Sequence, residues 1–205
     1  FKEYGLQTSP CGWYASQYKP FHLIGLELGI AFRKMGSDVA VVEALDSILP
    51  SYDKELIRPV QMWLKKNKVA LHTGCKAKGA VEEGGQTFLE FEDAKGETQR
   101  IEADKILVAV GRKPVTEGWG LETMGVDMDG PFVKIDHQCR TAMRGVYAIG
   151  DVSDMGEMLA HTASFQGEMV AEIIAGKDRI YDPVGVPAIV FTEPEIVSVG
   201  LSPDE

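Results

Sequence analysis

Apolar residues recur at helical spacing from Ile24 through Leu28, Ala31 and Phe32 to Met35, and Gly36 is placed to end that helix. The run DVAVVEA that follows is almost continuously apolar and of strand length, the pattern of a strand buried on both faces. Asp53 can cap a second helix running to about Asn67, with Pro59 as a kink or first-turn residue, and KVALHTG returns as a short strand. Between about Lys76 and Asp104 the pattern becomes short alternating runs, KGAVEE, TFLEFE and TQRIEA, parted by Gly85 and the turn signal AKGE. That stretch predicts an antiparallel excursion. DKILVAVG then resumes a buried parallel-type strand ending in GRKP, and FVKID and GVYAIGD predict two further strands. A long helix is expected from about Met158 to Ala175, closed by Gly176, and AIVFT and IVSVG begin something strand-like after YDPVGVP. Residues 1–20 scatter Gly, Pro, Tyr and Ser with no period of 2 or 3.6, and YASQYK is too polar for a buried strand. The fold class read from this pattern is α/β, a Rossmann-like domain carrying an antiparallel β excursion.

At 205 residues and 44% hydrophobic, the chain can bury one sizeable core, or one domain with pieces of another. Asp and Glu outnumber Lys and Arg by 31 to 21, and the resulting net charge of -10 argues against nucleic acid or an anionic membrane as partner. No apolar run approaches the roughly 20 residues of a membrane span. The opening FKEYGLQTSP has no signal-peptide core, so a cytoplasmic location is expected. Cys11, Cys75 and Cys139 are odd in number and far apart, which suggests neither a disulfide framework nor a zinc site.

Candidate chemistry begins in PFHLIGLELG, residues 20–29. A dinucleotide-binding turn uses three glycines for a tight turn, close backbone approach to the pyrophosphate, and helix–strand packing. Only the last, Gly25, is here; Pro20 and His22 stand where the first two belong. The segment could equally be an ordinary core helix. Glu43, closing the next strand about 20 residues on, can accept both ribose hydroxyls of NAD and repel the 2′-phosphate of NADP, or it is a strand-end carboxylate facing solvent. Gly111 and Arg112 sit where a strand leaves the sheet, the usual edge for ligands in α/β folds, although an ordinary turn would look the same. In TAMRGVYAIGDVSD an apolar strand ends in Gly-Asp, presenting Asp151 to a sugar-alcohol hydroxyl. The helix that follows, opening with Met158, Leu159, Ala160 and His161, offers its amide N–H groups to an electron-poor ring. His161 is either a contact through its backbone or a structural histidine.

IGLELGIAFRKMG, VVEALDSILPSYD, LVAVGRKP, AIGDV, MLAHTASFQGEMVAEIIAG and FTEPEIVSVG, in that order and spacing, resemble the dihydrolipoamide dehydrogenases, flavoproteins of the pyridine nucleotide-disulfide oxidoreductase group. The likeness covers about Leu23 to Glu205 and is nearest the bacterial form serving branched-chain 2-oxo acid dehydrogenase complexes. It implies FAD and NAD as cofactors, a homodimer, and a lipoyl-bearing acyltransferase as partner. It also implies an organisation: 1–22 unassigned, 23–115 an NAD domain, 116–180 the returning part of an FAD domain, and 181–205 the start of an interface domain. Gly25, Glu43, Gly111 and Arg112 would then meet NAD, while Asp151 and Met158 to His161 would lie along the flavin. The family's redox Cys-x4-Cys pair and its His-Glu acid–base pair have no counterpart in these residues. The chain is therefore expected to be a fragment with no catalytic residue of its own, inactive as written. Rival readings are a non-catalytic nucleotide-binding or interaction module of the same fold, and another disulfide reductase of the group; the latter prefer NADPH, against which Glu43 speaks.

Overall fold

The structure, a computed structural model, describes residues 11–15 and 22–201, with backbone alone for 11–15 and His22. The chain divides into two compact units, one holding the described residues up to Arg112 together with 189–201, the other Lys113–Ala188.

The first unit is built on a parallel sheet. Its strands are β1 (Cys11–Ala15), β2 (Val39–Glu43), β3 (Ala70–His72) and, after an antiparallel insertion, β7 (Lys105–Val108). They lie in the order β3-β2-β1-β7, all neighbours parallel. β1 corrects the expectation that residues 1–20 form no element: CGWYA is a strand lying between two others. Its register is fixed from both sides, Cys11 opposite Val39 and Lys105, which is information a local pattern does not contain. β2 is buried at every position, as its apolar run requires. β7 departs from the buried strand expected there. It forms one margin of the sheet among the described residues, with Ile106 and Leu107 half-buried and Val108 exposed.

Two helices carry the crossovers. α1 (His22–Lys34) buries Leu26 and Ile30, with Leu23 and Phe32 packed beside them. The stripe read from the sequence lies mostly on the other side, with Ile24, Leu28 and Met35 all at least 40% exposed. Both stripes have helical spacing, so periodicity alone could not choose between them; packing into the core of the first unit does. Arg33 fastens the end of α1 by donating from Nε to the Asn67 carbonyl (2.7 Å) and from Nη1 to Ser37 O (2.8 Å) and Asp38 (2.7 Å). α2 (Lys54–Lys66) runs unbroken through Pro59, its sixth residue and so beyond the first turn. Asp53 is its N-cap by position, but its main-chain carbonyl receives the Leu56 and Ile57 amides and its side chain makes no capping bond. Ile57, Val60 and Leu64 of α2 complete the core with Val39, Val41, Ile48 and Leu49. Val190 and Ile196, from the two-stranded pair β10 (Ala188–Val190) and β11 (Ile196–Ser198), enter the same core.

The insertion is the expected antiparallel excursion, β4 (Lys76–Glu83), β5 (Gln86–Glu92) and β6 (Thr98–Glu102). Its first turn places Gly84 and Gly85 at φ 62° and 82°, the paired left-handed positions of a tight hairpin. At the second turn Asp93 Oδ1 accepts the amides of Lys95 (2.9 Å) and Glu97 (3.0 Å). The Glu97 amide above all holds this carboxyl below its usual range. Leu89 and Phe91 press on Val42 and Cys75, forming a second small core with Ile101 and Ile106 against it.

In the second unit, FVKID yields only the short strand β9 (Phe132–Val133), paired with β8 (Met128–Asp129). GVYAIGD forms no regular strand. Tyr147 makes one antiparallel bridge with Arg140, and Gly150 at φ 68° turns the chain into a 3-10 turn over Gly150–Val152. The apolar run is present, but among the described residues it has no neighbouring strand to complete a ladder. α3 (Ala160–Ile174) packs Met169, Val170 and Ile173 against Ile135, Cys139 and Tyr181. Cys139 is fully buried, and that burial, with the Asp136 carboxylate second, pushes its thiol up to about 11 from 9.0.

A raised folded-state pKa favours the neutral thiol, so this contribution to stability is whole below pH 9.0 and disappears as pH rises through about 11. The decline amounts to about 1.4 kcal/mol per pH unit across that window. Cys139→Ala is expected to flatten this part of the alkaline loss, read as urea midpoints at several pH values. An unchanged slope would mean that the thiol is not what titrates.

Candidate functional site

Because β1, β2, β3 and β7 are parallel, their carboxyl ends share one edge of the sheet, where α/β folds hold ligands. Glu43 is the last residue of β2, in register with Ala15 at the end of β1. It is 1% exposed, its Oε1 accepts the Leu45 amide at 2.9 Å, and its carbonyl accepts the Cys75 amide at 2.9 Å. The Leu45 amide therefore orients the carboxylate, while the Cys75 amide fixes the main chain at the strand end.

Gly25 is the fourth residue of α1, within the first helical turn, and half-buried. The connection that would wrap a pyrophosphate, including Pro20, lies outside the described residues. The helix begins at His22. Gly111 follows β7 with φ 112°, a conformation that suits glycine, and Arg112 beside it is exposed. On the same edge, His72 ends β3 with its ring 5.2 Å from Phe91, and burial lowers its pKa.

The remaining expected contacts belong to the second unit. Asp151 is half-buried in the turn Gly150–Val152. Met158 and Leu159 are half-buried, Leu159 being the N-cap of α3, while Ala160 and His161 open the helix and are exposed. Their amides are in the first turn, where the backbone has N–H groups without helical partners. The structure thus collects Gly25, Glu43, Gly111 and Arg112 in one unit, and Asp151 with Met158 to His161 in the other. Sequence reading missed Gly150 and Gln166. A Cβ on Gly150 would stand 2.9 Å from the Ala163 Cβ, so the turn can lie this close to α3 only with glycine there. Gln166 is completely buried and bonded to that turn. Nothing in a lone glutamine on a helix signals such a role.

A parallel sheet in the order β3-β2-β1-β7, with helices at its crossovers, defines a Rossmann-like α/β protein. The chain belongs to the pyridine nucleotide-disulphide oxidoreductase family, whose profile matches residues 23–167. It is 55% identical over 183 residues to the dihydrolipoyl dehydrogenase of Pseudomonas aeruginosa, covering 89% of this chain and 38% of that protein. With the dihydrolipoyl dehydrogenase of Bacillus subtilis it shares 44% over 179 residues, again 38% of the relative. The chain therefore spans about two-fifths of the length of these curated relatives. Among solved structures, LpdA from Mycobacterium tuberculosis superposes with a TM-score of 0.80 at 27% identity, covering 97% of this chain and 42% of that one. The flavoprotein disulfide reductase RclA from Escherichia coli, in its Cu(II) complex, reaches 0.84 at 22% identity, covering 97% and 44%, a likeness of fold.

Proposed function

We propose that the chain is the nicotinamide-binding part, with adjoining flavin-domain and interface-domain segments, of a dihydrolipoyl dehydrogenase that uses FAD and NAD. The observation carrying this reading is Glu43: a buried carboxylate held by the Leu45 amide at the carboxyl end of β2, suited to two ribose hydroxyls and unsuited to a 2′-phosphate. The same charge speaks against the NADPH-preferring disulfide reductases. In the proposed organisation, residues 23–115 bind NAD, 116–180 return to the FAD domain, and 181–205 open the interface domain. Gly25 allows the helix to approach the sheet, Gly111 and Arg112 border the nucleotide, and Asp151 holds the flavin's polyol chain with Met158 to His161 alongside. Bound flavin would pass electrons between a dithiol and the nicotinamide.

The partners that go with this reading are a second copy of the full-length chain and a lipoyl-bearing acyltransferase of a 2-oxo acid dehydrogenase complex. Among the described residues no helix is long and apolar enough to cross a membrane, and a cytoplasmic location belongs to the same proposal.

Titration with NADH and, separately, NADPH, followed by nicotinamide fluorescence, tests the reading. Saturable binding of NADH with much weaker NADPH is the expected result, and equal affinity or none would overturn it. The 205 residues alone are expected to form no NADH from dihydrolipoamide even with FAD supplied, because their three cysteines include no pair at Cys-x4-Cys spacing. Turnover above buffer would contradict that. NADH binding with no affinity for flavin would favour the non-catalytic module instead.

A further inference from the structure

The loop from Gly150 to Gly156 is held by several side-chain hydrogen bonds. Gly150 N–H donates to Gln166 Oε1 at 2.6 Å, and Gln166 Nε2 donates to the Met155 carbonyl at 3.0 Å, so one buried side chain grips both ends. Inside the loop, Ser153 Oγ donates to the Gly150 carbonyl at 2.9 Å, and Asp154 Oδ1 accepts the Ile135 amide at 3.0 Å. Both flanking glycines are jammed against neighbours. A Cβ at Gly150 would meet Ala163 at 2.9 Å, and one at Gly156 would meet Thr162 at 3.0 Å and the Tyr181 hydroxyl at 3.1 Å. Asp151 is carried on this loop and lies next to the residue whose amide Gln166 holds.

A glutamine with no exposed surface is costly unless both its amide oxygen and its amide nitrogen are paired. Here the partners are two main-chain groups of a single loop, so the bonds fix loop geometry in addition to satisfying Gln166. We infer that Gln166 is a positioning residue that sets the turn presenting Asp151 and thereby governs affinity for the flavin's polyol chain. This rests on the proposed role of Asp151, and two separate readouts keep the two claims apart.

The test compares the 205-residue chain with Gln166→Leu, which keeps much of the volume and removes both bonds, and with Gln166→Glu. A protonated glutamic acid can accept from Gly150 and donate to Met155 as glutamine does, whereas the ionised form has lost the donor. The first readout is amide hydrogen exchange at Gly150 relative to Val170 within α3. The second is titration with FAD followed by flavin fluorescence, with NADH titration as the control for the first unit. Gln166→Leu is expected to speed relative exchange at Gly150 and weaken FAD binding, each by roughly tenfold or more, with NADH affinity unchanged. Gln166→Glu should match the wild type at low pH and lose FAD affinity as its carboxyl ionises, at a pH raised by burial. The other ionisable groups nearby are Asp151 and Asp154 on the loop, Glu157 just after it and Tyr181 against Gly156, and the wild-type profile accounts for them because all three chains contain them. Wild-type exchange at Gly150 in Gln166→Leu, or FAD affinity within about twofold of wild type, would overturn the inference. If the wild-type chain takes no FAD, the claim on flavin affinity falls, and the exchange data still decide whether Gln166 sets the turn.

Discussion

Phe91→Ala is expected to lower the stability of the first unit by about 3–5 kcal/mol, read as a shifted denaturation midpoint with an unchanged slope. Phe91 is 1% exposed and closes a small core with Val42, Cys75 and Leu89, its ring tilted against His72. The walls of the resulting hole are hydrogen-bonded strands: β5 is held between β4 and β6, and Val42 belongs to β2 in the middle of the parallel sheet. Such walls relax little, so the cavity persists and its full cost is felt. Phe91→Leu refills most of the volume and should cost clearly less. A loss below about 1 kcal/mol for the alanine variant would mean that the insertion does not rest on the parallel sheet through this residue.

Glu43→Gln is expected to weaken NADH binding by roughly tenfold to a hundredfold and to erase most of the preference over NADPH. The amide keeps an oxygen for the Leu45 N–H, so the strand end should hold its shape and the change isolates charge. Charge-assisted bonds to hydroxyls are about twice as strong as neutral ones, which fixes the direction for NADH. Removing the carboxylate also lifts its repulsion of a 2′-phosphate, which fixes the opposite direction for NADPH. Parallel titrations of both nucleotides give the ratio. A variant that binds each as the wild type does would remove Glu43 from the site.

Legibility of the fold followed the range of the forces involved. β2, α2 and the β4–β5–β6 meander were readable because burial on both faces, a helical stripe and glycine-rich turns are local properties of the chain. β1 was not, although Trp13 and Tyr14 are strong β-formers, since pairing with β2 and β7 is what makes CGWYA a strand. α1 was found but turned the wrong way, having two apolar stripes of which tertiary packing buries one. GVYAIGD failed for the converse reason: its composition suits a strand, and only one bridge is formed. In the candidate site, Glu43 and Asp151 stood out because a carboxylate after an apolar run has specific chemistry, although only Glu43 ends a strand. Gln166 did not, because its partners, one amide and one carbonyl, are brought to it only by folding.

The place of the meander in the parallel sheet has a consequence for how the chain folds. β4, β5 and β6 pair with sequence neighbours across short turns, events of the microsecond scale. β1 and β7 meet only when Cys11 finds Lys105, with two helices, two strands and the whole meander lying between them along the chain. Loop closure over that distance must precede any reward from the contact, so joining β7 to β1 should be the slow step of the first unit. Until it occurs, β1 has an open backbone edge, and the ribosome will have released β1 long before its second neighbour exists.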